Sequence, residues 1–309
     1  MTDGRVAAAS VIAVAVIAVV AVGGVVATSG TTVALFDDGD GDEEAGGVFV
    51  PAAETNNSQY DAERVVSDPT PGAASVEMDS LGEGTVVIDT ATFATNYQIQ
   101  PLAQALAENG HEVRVVGGTD SLEEALNGAT GFISVGVIQY DESAREALTE
   151  FLDEGGHAVF TVEPAAAFDS AEQSELFGAL EVGPQPGYVY NLEENDLNYQ
   201  RVYGTPDGEA TLTEGVDRVV FDTATTLGVE TAAETIGPIA GSQRSVTRTE
   251  TDAPIAVRED NLAVIGDVDF FSPTNVKRAD NDALVGNLAD FLVEGETVEL
   301  GAGGQAPGS

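Results

Sequence analysis

From Thr85 onward, short apolar runs alternate with longer runs whose apolar residues recur at helical spacing. The first run, TVVID at residues 85–89, has the β-branched composition of a buried strand. The next run places Leu102 and Leu106 on one side of a helix, and Gly110 provides its C-terminal stop. Strands that alternate with helices across short turns predict a mostly parallel sheet with helices on both faces.

The pattern continues through two more helices and several more strands. The run DESAREALTEFLDEGGH predicts a helix that is capped by Asp141 or Ser143 and that ends at Gly155. A shorter helix is predicted in SLEEALNGA, at residues 121–129. The further predicted strands are residues 112–116, 131–137, 158–162, 218–222, 254–257 and 262–267.

The middle of the chain, residues 163–217, is less regular. It contains YVYNLEENDLNYQRVYGTP, whose Asn and Tyr content is unlike the rest of the chain. A final amphipathic helix then carries Leu284, Leu288 and Leu292 and is expected to end at Gly295.

The N-terminal region contains an uncharged run of 22 residues, residues 6–27. About 20 apolar residues cross a bilayer, whereas the core of a signal peptide has about 7–15. We therefore expect a retained anchor in the lipid bilayer, and Arg5 before it places the later residues outside the cell. The expected organisation is a cytoplasmic end and anchor at residues 1–28, an acidic flexible stalk at 29–84, an α/β domain at 85–295 and a disordered tail at 296–309.

The formal net charge of −42 limits where the protein can work and what it can bind. Such a charge repels itself in dilute buffer, but at about 1 M salt the Debye length falls to about 3 Å and the repulsion is screened. The composition is therefore typical of an extreme halophile. The sequence lacks the basic patch that nucleic acid needs, and without cysteine it has neither disulfides nor thiolate metal ligands.

Acidic side chains stand where the predicted strands end. In open parallel sheets ligands bind outside the carboxyl ends of the strands, so these acids are candidates for a metal-binding or acid–base pocket. The alternative is that they cap helices and form turns, which Asp also favours at strand ends. The candidates are Asp89, Glu163, Asp222, Asp267 and Asp269.

Two further groups are candidates for ligand binding. The first strand leads into DTATFATNY instead of a glycine-rich phosphate loop, which leaves Asn96 and Tyr97 as polar groups at this end of the strand. The irregular middle offers aromatic faces beside amides and a carboxylate, a combination suited to sugar or peptide recognition. Its alternative role is a long loop that satisfies its own backbone. The candidates there are Asn195, Asp196, Asn198 and Tyr199.

The two histidines argue against familiar catalytic arrangements. His111 and His157 each follow a helix-ending glycine and precede a strand, which places them at the amino edge of the sheet. A nucleophile needs its base beside it, and no histidine is predicted at the carboxyl edge. We therefore assign no catalytic residue, no metal ligand and no cofactor from the sequence.

Five blocks of the sequence, within residues 85–294, resemble a domain-of-unknown-function family of membrane-anchored archaeal and bacterial proteins. That family is similar to the auxiliary domain of gliding-motility-type ABC transport systems and to class I glutamine-amidotransferase-like folds. The resemblance implies a flavodoxin-like α/β fold without an established activity. Amidotransferases of this fold carry a cysteine after a central strand, but Glu163 and Pro164 stand there in this chain. The blocks are VVIDTATFATNY, DESAREALTEFLDEGGHAVF, YNLEENDLNYQRVYGTP, LTEGVDRVVFDTA and GDVDFFSPTNVKRADNDALVGNLADFLVEG.

These observations favour a non-catalytic, extracytoplasmic binding or assembly domain that serves a membrane transport or envelope complex. The alternative is a hydrolase that uses strand-end carboxylates with a divalent cation. In GDVDFF, the acids are expected to order the turn into the last helix, and Asp280, Asn281 and Asp282 are expected to cap that helix.

Overall fold

The computed structural model describes residues 76–89, 99–117, 121–136, 140–165, 171–208 and 210–300. The helices are α1 (Gln100–Glu108), α2 (Leu122–Leu126), α3 (Glu142–Asp153), α4 (Ala171–Ala179) and α5 (Asn281–Val293). The strands are β1 (Thr85–Asp89), β2 (Glu112–Val116), β3 (Gly131–Ser134), β4 (His157–Thr161), β5 (Val182–Pro184), β6 (Val189–Tyr190), β7 (Arg201–Pro206), β8 (Val219–Asp222), β9 (Leu227–Val229), β10 (Glu234–Pro238), β11 (Gln243–Arg244), β12 (Ala256–Glu259) and β13 (Leu262–Ile265).

The main sheet of the described residues has nine strands in the order β2-β1-β3-β4-β13-β12-β10-β7-β8. The four pairings from β2 to β13 are parallel, as predicted from the strand–helix alternation. The four pairings from β13 to β8 are antiparallel. The fold is thus mixed α/β, and the prediction of a mostly parallel sheet holds for one half only.

Helices cover both faces of the parallel half, as predicted. Strand residues alternate between the faces, so that Ile88 packs with α1 and α5, whereas Val87 packs with α2, α3 and α4. Phe132 and Phe160 meet edge to face on the second side, with ring centroids 5.8 Å apart. Two separate apolar cores therefore hold this half of the sheet between two layers of helices.

The predicted start of α3 is correct, because the Asp141 side chain accepts a hydrogen bond from the Ala144 N–H. The start of α5 differs from the expectation. Asp280 is the N-cap residue but makes no side-chain cap, and Asp282 is the second helical residue. The side chain of Asp280 instead accepts the Arg218 N–H just before β8, and that of Asn281 accepts the Val220 N–H within β8.

The irregular middle is more ordered than the sequence predicts. It contains α4 and β5, and it contributes β7 to the main sheet. Two short ribbons accompany it, one formed by β6 and β11 and the other by β5 and β9. Because these strands pair with partners far along the chain, no local sequence pattern indicates them.

Residues on both sides of the expected α/β domain contact it. Before β1, the backbone N–H groups of Asp79 and Ser80 donate to the Asp290 carboxylate, and Glu77 O lies where a side chain at Gly286 would stand. After α5, Val298 is buried and pairs with Ala129. The ends of the expected stalk and the start of the expected tail thus pack on the domain. No helix among the described residues is long and apolar enough to cross a membrane, and residues 6–27 lie outside them.

Candidate functional site

The carboxyl ends of β8 and β13 meet, although three strands separate them in the sheet. The Asp222 N–H donates to Asp267 Oδ2 at 2.7 Å, and the rings of Phe221 and Phe270 lie 5.5 Å apart. This contact requires the antiparallel half to curl back towards β13. The curl brings Asp222, Asp267 and Asp269 together, as the strand-end hypothesis expects.

Asp267 is at the centre of this cluster and is only 2% exposed. Besides the Asp222 N–H, it accepts the Asp269 N–H at 2.8 Å through Oδ1. Burial raises the pKa of Asp267 to about 8, the two backbone donors oppose that rise, and the charges of Asp269 and Asp222 add to it. The protonated carboxyl is therefore the main form near neutral pH.

Asp269 lies beside this group and is more exposed to solvent than Asp267. Its pKa is raised, first by burial and then by the negative charges of Asp222 and Glu163, while Arg201 lowers it. Glu163 thus belongs to the same electrostatic neighbourhood. Four of the five predicted strand-end acids consequently influence one another.

Arg201, on β7, connects this cluster to two loops. Its guanidinium donates to Asp222 Oδ2 at 2.7 Å, to Asp196 Oδ2 at 3.2 Å and to Asn275 Oδ1 at 2.6 Å. Its side chain is 12% exposed, so solvent screens these contacts less than it screens surface pairs. Arg278 adds a longer contact, 3.7 Å, to Asp196. Asp196, a candidate ligand-binding residue, is therefore held inside an ion-pair network.

Asp89 is separate from this cluster, because β3 and β4 lie between β1 and β13 in the sheet. Asp89 accepts a hydrogen bond from the Tyr140 hydroxyl at 3.1 Å, and both residues are buried. Burial, and then the charge of Asp89, raise the pKa of Tyr140 well above its usual value. Asn96 and Tyr97, expected near this end of β1, lie outside the described residues.

The remaining candidates lie on the loop between β6 and β7. Asn195 donates to Asn191 O, and Asn198 accepts the Gln200 N–H. Tyr199 is 43% exposed, and its ring meets that of Tyr190 edge to face at 6.3 Å. The two amides thus bind the loop's own backbone, whereas Tyr199 presents an aromatic surface to solvent.

The histidines lie at the amino edge, as predicted. His111 Nδ1 accepts the Gly84 N–H, and Nε2 contacts Ser80 O. The His157 ring stacks on Phe291, and burial lowers its pKa. His111 contacts the segment before β1, and His157 contacts α5, at the edge of the sheet opposite to the carboxylates.

The chemistry open to the cluster follows from these contacts. Both Asp267 oxygens accept backbone N–H groups, and a protonated carboxyl is a poor ligand for a cation. No group of three or more His, Asp or Glu side chains that could hold a metal ion occurs in the described ranges. A surface cavity of about 520 Å³ is lined by α4 and β5, and none of the clustered carboxylates lines it. The cluster can exchange protons, and its contacts with backbone N–H groups and with Arg201 hold neighbouring segments of the fold together.

Sequence reasoning did not identify Arg201 or Asn275, and it expected Asn281 only to cap the last helix. Asn281 is fully buried, accepts the Val220 N–H and donates to Val220 O and to Asn275 O. It pairs with the edge of β8 as a neighbouring strand would. One signal was available for Arg201, which is one of only 11 basic residues and follows an aromatic, acid-free stretch.

No protein-family model and no curated protein matches the chain. Among solved structures, the mmIFT52 N-terminal domain aligns with a TM-score of 0.55 at 16% identity, over 70% of this chain and 100% of that chain. A ThuA-like protein from Bacteroides uniformis aligns with a TM-score of 0.44 at 15% identity, over 70% and 93%. A glutamine amidotransferase from Thermotoga maritima aligns with a TM-score of 0.38 at 11% identity, over 68% and 96%.

At these identities the likeness concerns the fold alone. The first alignment spans that domain completely, which supports a mixed α/β architecture with a large sheet. None of these likenesses transfers an activity.

Proposed function

We propose that the chain is a non-catalytic binding or assembly domain, held at the outer face of the membrane of an extreme halophile by residues 6–27. It serves a transport or envelope complex through a protein partner. The finer fold assignment is part of this proposal: an amidotransferase-like, flavodoxin-related α/β domain that lacks the catalytic cysteine of amidotransferases.

The main support is that the carboxylates at the carboxyl edge of the sheet bind groups of the protein itself. An active site at this edge needs carboxylates that face a ligand, yet Asp267 accepts two backbone N–H groups and Asp222 pairs with Arg201. Near neutral pH the raised pKa of Asp267 also favours its uncharged form, which cannot serve as a general base. These residues therefore stabilise the fold.

The net charge and the N-terminal segment support the location. The net charge of −42 suits molar salt, where the short Debye length screens repulsion. The uncharged N-terminal run is long enough to span a bilayer, and Arg5 before it, with no Lys or Arg after it until Arg64, favours the outer side for the later residues. A domain at that place meets envelope proteins and extracellular ligands.

The test is affinity capture of the full-length chain from native membranes in molar salt. We expect a partner protein in near-stoichiometric amount, captured equally by wild type and by the carboxyl-edge variant Asp267→Asn. Failure to capture any protein would contradict the assembly role.

A second measurement separates binding from metal-dependent catalysis. Thermal melts of wild type and Asp267→Asn are compared with and without Mg²⁺ or Ca²⁺. We expect the cations to shift both proteins equally, as non-specific screening does. A cation-dependent rise in melting temperature that only Asp267→Asn loses would favour the hydrolase alternative.

A further inference from the structure

Several stretches of the chain contain no Asp or Glu, although the chain has 53 of them. Three of these stretches lie close together in the fold, and they are residues 182–192, 197–206 and 235–249. The fold brings them together, because β6 pairs with β11 and β7 pairs with β10. An acid-poor face thus forms on a protein whose surface is otherwise rich in carboxylates.

Exposed apolar groups concentrate on this face. Six large hydrophobic residues are exposed in the described part of the chain, and four of them belong to the acid-free stretches. Isolated exposed apolar residues are ordinary, but their concentration on one face is typical of an interaction site. The four are Leu192, Leu197, Tyr199 and Val246.

A continuous row of side chains, the tyrosine ridge, runs across the face and consists of Tyr188, Tyr190, Tyr199 and Val246. Adjacent tyrosine rings along it lie 6.3 Å apart. At the other end, Ser245 Oγ accepts the Tyr188 N–H, and the Val246 side chain, the last of the ridge, lies next to Gly187. The Tyr190 hydroxyl donates to Gln243 Oε1, so the ridge is built on a rigid ribbon. Such preorganised tyrosines provide contact area at low entropic cost.

The same turn carries two arginines without a carboxylate partner. Of the nine lysines and arginines in the described residues, six form ion pairs, and the exceptions are Arg244, Arg248 and Lys277. Two of the three exceptions therefore stand on one turn, residues 244–249, which we call the arginine turn. In so acidic a chain, two guanidinium groups kept apart from carboxylates are available to an external anion.

The acids of the neighbouring loop are mostly engaged within the domain. Glu194 pairs with Arg218 at 3.4 Å, and Asp196 is buried against Arg201. Glu193 is exposed on that loop. Near Val246, the exposed Glu250 adjoins the arginine turn and bridges to Gln243, and the two arginines of the turn outnumber this acid.

We infer that the tyrosine ridge and the arginine turn form the docking surface for an acidic, aromatic-containing segment of a partner protein. Carboxylates of that segment bind Arg244 and Arg248, and its aromatic and apolar groups pack on Tyr188, Tyr199 and Val246. A neutral sugar would use the tyrosines but leave both arginines unpaired, so the charge favours a peptide. This inference rests on the proposed partner-binding function and names its surface.

The first test is a binding titration with the full-length chain in detergent. The probe is a short synthetic peptide of alternating Glu and Tyr, and its controls are the same peptide with Gln for Glu and with Ser for Tyr. We expect the Glu/Tyr peptide to bind at least about fivefold more tightly than either control, the scale set by a pair of exposed arginine–carboxylate contacts. Equal binding of the Gln/Tyr peptide, or preferential binding of a neutral oligosaccharide, would overturn the inference.

Variants then locate the site. Arg244→Gln and Arg248→Asn should each weaken the Glu/Tyr peptide about two- to threefold. Asn suits the second position because Arg248 has φ of 55°, a left-handed conformation that Asn accepts. Val246→Ser tests the ridge without touching a charge. Lys277→Gln removes the third unpaired cation and should leave binding unchanged, and a matching loss there would show general charge attraction and overturn the site.

The final arm uses native membranes, with a photo-crosslinking residue in place of Val246. Val115 is the matched control, since it is 65% exposed on β2, a strand at one edge of the sheet, whereas Val246 is 55% exposed. We expect Val246 to capture a protein peptide of net negative charge, with a yield that falls in Arg248→Asn. Capture of lipid, of glycan or of a second copy of the chain would overturn the inference. Affinity capture that succeeds without this dependence would leave the proposed function standing and refute only the surface.

Discussion

Replacing Asp267 with Asn should change how the stability of the domain depends on pH. Asp267 is buried among Asp222 and Asp269, and burial raises its pKa to about 8. Since the folded pKa lies above the unfolded value, folding is favoured by this group at low pH. The contribution is complete below the unfolded pKa and is lost as pH rises towards 8. Asn is uncharged throughout and removes that dependence.

The magnitude follows from the linkage between protonation and folding. While the folded state holds the proton and the unfolded state does not, the free energy of unfolding falls by about 1.4 kcal/mol per pH unit. Between pH 5 and pH 7 wild type should therefore lose about 2–3 kcal/mol more than the variant. Asn has one acceptor oxygen, so it gives up one of the two backbone hydrogen bonds, a loss of about 1 kcal/mol at every pH. Because wild type has already lost about 1.5 kcal/mol between the unfolded pKa and pH 5, the variant should be close to wild type in stability at pH 5 and clearly more stable at pH 8.

Chemical denaturation in molar salt can measure this difference. The chain has no Trp and seven Tyr, so tyrosine fluorescence and circular dichroism report unfolding. Asp260→Asn is the matched control, because Asp260 is exposed in a turn with φ of 46°, which Asn accepts. The control has the same change in formal charge, so it corrects for the repulsion among the remaining acids.

The decisive quantity is the difference in pH slope between Asp267→Asn and Asp260→Asn. If both variants follow wild type in parallel between pH 5 and pH 8, Asp267 is ionised in the folded state. The backbone N–H donors would then outweigh burial, and the cluster would be available to a cation after all.

Three further predictions concern the fold and its environment. The unfolding temperature of the full-length chain should fall as salt is lowered from about 1 M to about 0.1 M, where the Debye length reaches about 10 Å, and a flat profile would refute the halophile assignment. Protease added to intact cells should remove the domain after residue 27, whereas protection behind a permeable envelope would reverse the predicted orientation. Asn281→Ala should lower the free energy of unfolding by about 2–5 kcal/mol, because it leaves the buried N–H and C=O of Val220 without their partner, and denaturant midpoints should show a smaller loss for Asp282→Ala.

The parallel half of the fold was predictable because its signals are local. Apolar runs of strand length alternate with helical periodicity there, and the predicted strand at Thr85–Asp89 has the observed bounds. The helix ends were predictable for the same reason: Gly110 and Gly155 adopt φ of 94° and 90°, a conformation that favours glycine after a helix.

The antiparallel half was not predictable in the same way. Its strand β7 pairs with β10 and β8, and the stability of such short strands comes from partners distant along the chain. Asn281 was expected to cap the last helix, yet its side chain pairs with the backbone of Val220 at the edge of β8. A side chain that substitutes for a neighbouring strand leaves no periodic pattern in the sequence.

The sequence positions of the strand-end acids agree equally with a ligand-binding pocket and with a structural role. Position after a strand predicted that Asp222 and Asp267 share an edge, and they do. The direction of their side chains depends on the backbone that crosses this edge, which no spacing reveals. The N–H groups of Asp222 and Asp269 both donate to Asp267, and these hydrogen bonds distinguish a structural role from a ligand-binding role.

The path of the backbone after β8 explains why the carboxyl edge near β13 has a structural role. In an open parallel sheet, ligands occupy the crevice beyond the carboxyl ends of the strands. Here the chain itself crosses that place: the Thr225 N–H donates to Gly266 O, and the Leu227 N–H donates to Pro254 O. A Cβ at Gly266 would lie 2.1 Å from Thr225 O, so glycine is required for the crossing. Because the chain's own backbone contacts this end of β13, a ligand would have to displace it, whereas the tyrosine ridge already faces solvent.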